Sequence, residues 1–312
     1  GFVIHSFQGA DPLGSGIQLD TAGGNTITAN WLGTDTTGAA ADPAPNNTQG
    51  LLILNSSGNQ VGGTDPADRN VMSGNRLRGM HLEGAGASGN TIEGNDIGTN
   101  AAGTAALSNP MGIYFRDAPD NTFGGTANGA GNVVSSNSIY GVYLVGDDAD
   151  RNIVKGTAIG LDKDRSGPLG NVGAGIATFE ADDTEVGGTE NGAGNLISAN
   201  SRGIALHSGS TGTLIRRNSI YDNTGLGIDL GFNGAVDAND GAVGAGANNG
   251  LDYPIFTSSL LAGSTLSVTG YNGSAPGQAT FANVEIEVFV ADNDPADQDG
   301  EVVVGDGLSE PH

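Results

Sequence analysis

GIYFRD, residues 112–117, sets a glycine ahead of a run in which apolar residues alternate with others. The same arrangement recurs as GIQLD, GLLILN, GMHLE, GVYLVG, GIATFE and GIALHS, led by Gly16, Gly50, Gly79, Gly141, Gly175 and Gly203. With Gly112 included, successive glycines lie 34, 29, 33, 29, 34 and 28 residues apart. A recurrence of this length marks a repeat architecture, and here long and short units alternate.

Each unit carries further signatures. The short ones contain NQVGGTDPADRNVMSGN (59–75), NTFGGTANGAGNVVSSN (121–137) and TEVGGTENGAGNLISAN (184–200). The long ones contain NTITANWLGTD (25–35), NTIEGNDIGTN (90–100) and NIVKGTAIGLD (152–162). A unit thus holds about three short strands of period 2, separated by Gly and Asn turns. An ordinary parallel sheet needs a long crossover between strands, and none is present. Short strands pair in parallel if the chain winds round and lays each on its counterpart one coil later, which predicts an all-β, right-handed parallel β-helix of about seven coils. Asn25, Asn59, Asn90, Asn121 and Asn152 recur just before the second strand, where coils about 4.8 Å apart let their amides bond to one another. The leucine-rich consensus is absent, and the unit is shorter than the roughly 40–45 residues of a WD40 blade. Alternation turns Ile17 and Leu19, Met80 and Leu82, and Ile113 and Phe115 inward.

Regular repeats stop after GIDLG, which begins at Gly227. A Gly-, Asn- and Asp-rich segment leads to Tyr253 and Pro254, and then STLSVTG, FANVEIEVFV and EVVVGDG alternate in an antiparallel style. The expected organisation is a β-helix over 1–253 and, over 254–312, a partial Ig-like β-sandwich or a set of strands capping the solenoid.

Bulk composition narrows the function. A net charge of −24, from 35 acidic against 11 basic residues, opposes binding to nucleic acid and anionic membranes. No apolar run approaches the ~20 residues of a membrane span. Zero Cys removes disulfides and thiol chemistry and favours bacterial over eukaryotic export. The chain opens on Gly1 and is read as a piece of a longer multidomain precursor.

The xGGT…GNxISxN units, followed by YDNTGLGIDLG and YPIFTSS, resemble the right-handed parallel β-helix repeat family of bacterial secreted and cell-surface proteins. The resemblance covers residues 1 to about 260 and implies an extracellular or cell-surface location, in chains of adhesin type that carry Ig-like domains. The wider superfamily of pectate-lyase-like folds includes polysaccharide lyases and hydrolases, so the resemblance implies no single reaction.

Among candidate chemistries, the acid pairs Asp147–Asp148 and Asp182–Asp183 lack the GHG triplet of the polygalacturonase pattern and read as solvated turns. The first strand of each unit is richer. Alternation turns His81, Tyr114 and Tyr143 outward in one row, with Glu83 beside Arg116 in the next. Tyrosine offers a sugar both an apolar face and a hydroxyl. These five residues are the expected glycan-binding set. If the chain is an enzyme, His81 or Tyr114 takes a proton while Arg116 neutralises a uronate. His5, His312 and Trp31 read as incidental or packing residues. Calcium is the expected ion, held by Asp292, Asp294, Asp297 and Asp299. An EF-hand fails because Pro295 stands at its first position, and the absence of Cys with few His argues against zinc.

Two readings follow. In one, the chain is a secreted or surface β-helix module displaying a polysaccharide-binding face, with a cell-surface glycan as partner. In the other, it is a polysaccharide lyase or glycoside hydrolase acting on an acidic glycan. No segment carries a 3.6-residue period, so circular dichroism should give a β spectrum. Helix above about a quarter of the chain would contradict the solenoid.

Overall fold

The computed structural model describes residues 1–7, 9–11, 14–42, 47–241, 246–263 and 265–277. The chain winds as a parallel β-helix of about seven coils with three sheets. The front sheet has eight strands and collects the glycine-led segments, among them Arg78–Glu83, Met111–Arg116, Tyr140–Val145, Ala174–Phe179 and Arg202–Leu206. A seven-stranded flank sheet and an eight-stranded rear sheet follow, built from strands of two or three residues such as Thr122–Gly124 and Val133–Val134. Apart from two short 3₁₀ turns, Pro66–Asp68 and Ala247–Gly250, no helix occurs among the described residues.

Strands this short hold because each has parallel partners above and below and an apolar residue inside. Met80, Ile113, Val142, Ile176 and Ile204 form one inward file in register, and all are fully buried. Phe115 meets Phe123 of the flank sheet edge-on at 6.4 Å, closing the core across the coil.

Asparagine stitches all three corners, where the sequence pattern exposed only one. The expected file runs from Asn25 through Asn59, Asn90 and Asn121 to Asn152, each Nδ2 donating to the next Oδ1 at 2.7–3.2 Å. A second file passes from Asn30 through Asn70 and Asn95 to Asn132. A third runs unbroken from Asn47 through Asn75, Asn109, Asn137, Asn171 and Asn200 to Asn223. The leading glycines belong to this third corner. A Cβ on Gly112 would meet Asn137 Nδ2 at 2.8 Å and the Gly141 carbonyl at 2.5 Å, so no side chain fits there.

The alternation of long and short units also has a structural cause. Long coils project a hairpin between rear and front sheets, closed by the bridges Thr34↔Ala41, Thr99↔Ala106 and Leu161↔Pro168. Successive hairpins bond directly: Ala101 N–H donates to the Gly38 carbonyl and Lys163 N–H to the Gly103 carbonyl, both at 2.9 Å. A hairpin is two strands thick and fills the height of two coils. It can therefore emerge only from every second coil, and the intervening coil must be short.

Beyond the coils, Pro254–Ala262 pairs antiparallel with Thr265–Asn272. The segments FANVEIEVFV and EVVVGDG lie outside the described residues.

The register predicts unequal costs at neighbouring positions. Ile113→Asp should lower stability by at least about 3 kcal/mol, since it places an unpaired charge in the core. Tyr114→Asp, on the opposite face, should cost far less. Equal losses in thermal melts would shift the register by one residue.

Candidate ligand-binding face

The outer face of the front sheet concentrates the polar and aromatic chemistry of the solenoid. Register places His81, Tyr114, Tyr143, Ala177, Ala205 and Asp229 in one row. Glu83, Arg116, Val145 and Phe179 form the next row. All five residues of the expected set therefore share this face.

A further row comes from the residues before the glycines. Strict alternation would turn Arg78 inward with Met80, yet its guanidinium lies over the Tyr114 ring, 4.5 Å from the centroid. The reason is Gly79, whose missing Cβ would point at Ile97 Cγ2 from 2.7 Å. Gly79 and Met80 thus both face the core, and the residue ahead of them returns to the surface. Tyr140 and Arg202 occupy the same kind of position. The doubled inward step at each Gly-apolar pair was the available signal for these residues.

The result is a connected file of aromatic rings, in which His81, Tyr114 and Tyr143 stand on successive coils and Tyr140 lies beside Tyr143 on the same strand. His81 lies 5.0 Å from Tyr114, Tyr114 5.5 Å from Tyr143, and Tyr143 4.9 Å from Tyr140, centroid to centroid. Tyr140 meets Phe232 edge-on at 6.2 Å, and Phe232 stacks on His207 at 4.0 Å. Ala174, Ala177 and Ala205 are buried beneath Tyr140, Tyr143 and Phe232, making a small hydrophobic cluster outside the main core. Phe232 holds a φ of 55°, a left-handed conformation that a bulky residue adopts only under constraint. That conformation turns the chain leaving the last coil back onto the face.

Both ends of the file have the same construction. At one, Arg78 pairs with Asp11 at 2.7 and 3.1 Å and also donates to Gln49. At the other, Arg202 pairs with Asp229 at 2.6 Å and lies over Phe232 at 4.7 Å. The N-terminal segment is fastened here too, through Gly9, whose carbonyl accepts from Arg76 and Thr48. Arg116 is held loosely, 3.8 Å from Glu83 and 3.9 Å from Asp117, and is half exposed.

His81 departs from its expected exposure. It is 1% exposed, and neither ring nitrogen has a hydrogen-bond partner among the described residues. Its Nε2 lies 3.6 Å from Glu83 Oε2. Burial, then the Arg78 cation, pushes its pKa down to about 3, so the ring is neutral at ordinary pH. Burial likewise raises Tyr143 to about 12 and moves Tyr114 upward. Tyr114, Tyr140 and Tyr143 remain partly exposed and offer some ring surface to solvent.

Among the described residues no three His, Cys, Asp or Glu side chains are grouped to hold an ion. Met72 and Met80 are sealed in the core. His5 pairs with Asp42 away from the face, and Asp292, Asp294, Asp297 and Asp299 lie outside the described residues.

Among solved structures, one of QnrB1, a plasmid-mediated fluoroquinolone resistance protein, matches at 12% identity over 64% of this chain and 79% of that one, with a TM-score of 0.17. So low a score carries no argument. A family model is more telling: the one described as periplasmic copper-binding protein (NosD) matches residues 5–230. It corrects the expectation of calcium, because the family is described by copper and the described residues group no ligands for an ion. The match takes in nearly every coil and well over half of the chain, and the protein belongs to the NosD family.

Proposed function

We propose that this β-helix, of a family described as periplasmic, binds an extended polysaccharide along the outer face of its front sheet and does not cleave it. The observation that carries the reading is the file Tyr114, Tyr143, Tyr140 and Phe232, with centroid steps of 4.9 to 6.2 Å. Tyr114 and Tyr143 stand one coil, about 4.8 Å, apart and can follow a chain of sugar rings laid along the axis, while Tyr140, on the same strand as Tyr143, widens the surface sideways. The partly exposed tyrosines pair an apolar surface with a hydroxyl, the combination that a sugar ring requires. In a longer chain such a module would space and display this face, as an adhesin does.

The copper in the family's description has no matching group of His, Cys, Asp or Glu donors among the described residues. Copper is held by thiolate, thioether or imidazole ligands brought to one point. The chain has no Cys, and among the described residues no three His, Asp or Glu side chains gather at one point. No step is therefore assigned to the metal. The lyase alternative loses support from His81, whose buried ring, held near a pKa of about 3, is too weak a base to take a sugar proton near neutrality.

The test compares wild type with the double variant Tyr114→Ala, Tyr143→Ala on immobilised polysaccharides, with product release followed in parallel. Affinity should fall at least about tenfold, the order expected when stacking rings are lost. Undiminished binding would dismiss the face. Turnover by wild type that disappears in His81→Ala would establish the lyase instead.

A further inference from the structure

We infer that the polysaccharide bound on this face is neutral, a conclusion that rests on the binding reading above and adds the substrate class. An acidic glycan needs free cationic donors, ideally guanidinium forks open to a carboxylate or sulfate. Among the described residues this face has three arginines, and the two at its ends are each ion-paired to an aspartate. Arg78 gives Nη1 and Nη2 to Asp11 while lying over Tyr114. Arg202 gives Nε to the buried Asp229 while lying over Phe232. These ion pairs hold their cations over the rings of Tyr114 and Phe232, within 4.7 Å of each centroid.

The remaining charge is unfavourable to an anion. Arg116 stands between Glu83 and Asp117. Glu180 lies near enough to Tyr143 to oppose its ionisation. Three guanidinium groups thus face the five carboxylates of Asp11, Glu83, Asp117, Glu180 and Asp229. The chain as a whole adds a field of −24 charges, which repels polyanions at distances up to the Debye length, about 10 Å at 0.1 M salt. A neutral glycan meets none of this repulsion. It still gains the stacking surface of Tyr114, Tyr140 and Tyr143, which are partly exposed.

The experiment measures binding of the full chain to polygalacturonate, alginate and hyaluronate, each beside its carboxyl-reduced neutral form. The neutral forms should bind at least about tenfold tighter, with affinity nearly unchanged between about 0.01 and 1 M salt. Tighter binding of the acidic forms, or affinity that collapses with salt, would overturn the inference and leave the polysaccharide reading standing. Binding to neither form of any pair would defeat both. A second variant reads the charge logic directly. Asp11→Asn releases Arg78 and should raise affinity for the acidic forms several-fold while leaving the neutral forms unaffected. No gain for the acidic forms would mean that the end arginines do not set the selectivity.

Discussion

The buried asparagine amide is the interaction on which the rest of the molecule depends. A chain that turns three times per coil leaves backbone groups at every corner that no strand can satisfy, and buried groups of that kind are costly. Asn137 shows how the corner is solved. Its Nδ2 donates to the Ser135 carbonyl within its own coil and to Asn171 Oδ1 in the next. Its Oδ1 accepts from the backbone and the side chain of Asn109 in the coil before. One side chain thereby pairs its own coil and both neighbours, and the files polarise along their length. Because the amides reach only if the coils stack in register, the same bonds set the spacing at which everything outside the core repeats.

The face inherits its order from that spacing. Rings at equivalent positions become neighbours along the axis, and an aromatic file appears without any local motif to announce it. Its limits are set by non-repeating chain: the segment carrying Asp11 at one end, and the turn carrying Phe232 at the other. Each end pairs an arginine with both an aspartate and an aromatic ring. The pairing stiffens the file and withdraws positive charge from it, so the architecture that supports stacking also disfavours anions.

The strands, their parallel pairing and the alternate burial of Ile113 and Tyr114 were legible in the sequence because strand periodicity and unit length are local patterns. One asparagine file was legible for the same reason. The other two were hidden because their spacing changes with each hairpin: Asn75 and Asn109 are separated by a long insertion, Asn109 and Asn137 by a short one. Within the face, Glu83, Tyr114, Arg116 and Tyr143 followed from alternation. Arg78, Tyr140 and Arg202 did not, because the glycine takes an extra inward place. Phe232 could not be anticipated, since its contact with His207 depends on a backbone reversal after the last coil. The burial of His81 likewise comes from tertiary contacts and not from its strand. Calcium was read from the acidic segment carrying Asp292, Asp294, Asp297 and Asp299, which lies outside the described residues, and the family's description by copper overturns it.

Asn137→Asp tests the dependence on the amide files most directly. The change keeps shape but replaces a buried donor with a charge aimed at the Asn171 oxygen. Asn128→Asp, on an exposed loop, serves as its control. Measured by denaturant unfolding, Asn137→Asp should cost at least about 3 kcal/mol, and Asn128→Asp should stay within about 0.5 kcal/mol of wild type. Indistinguishable stabilities for the two variants would contradict the account, since the coils would then be held together without the amide files.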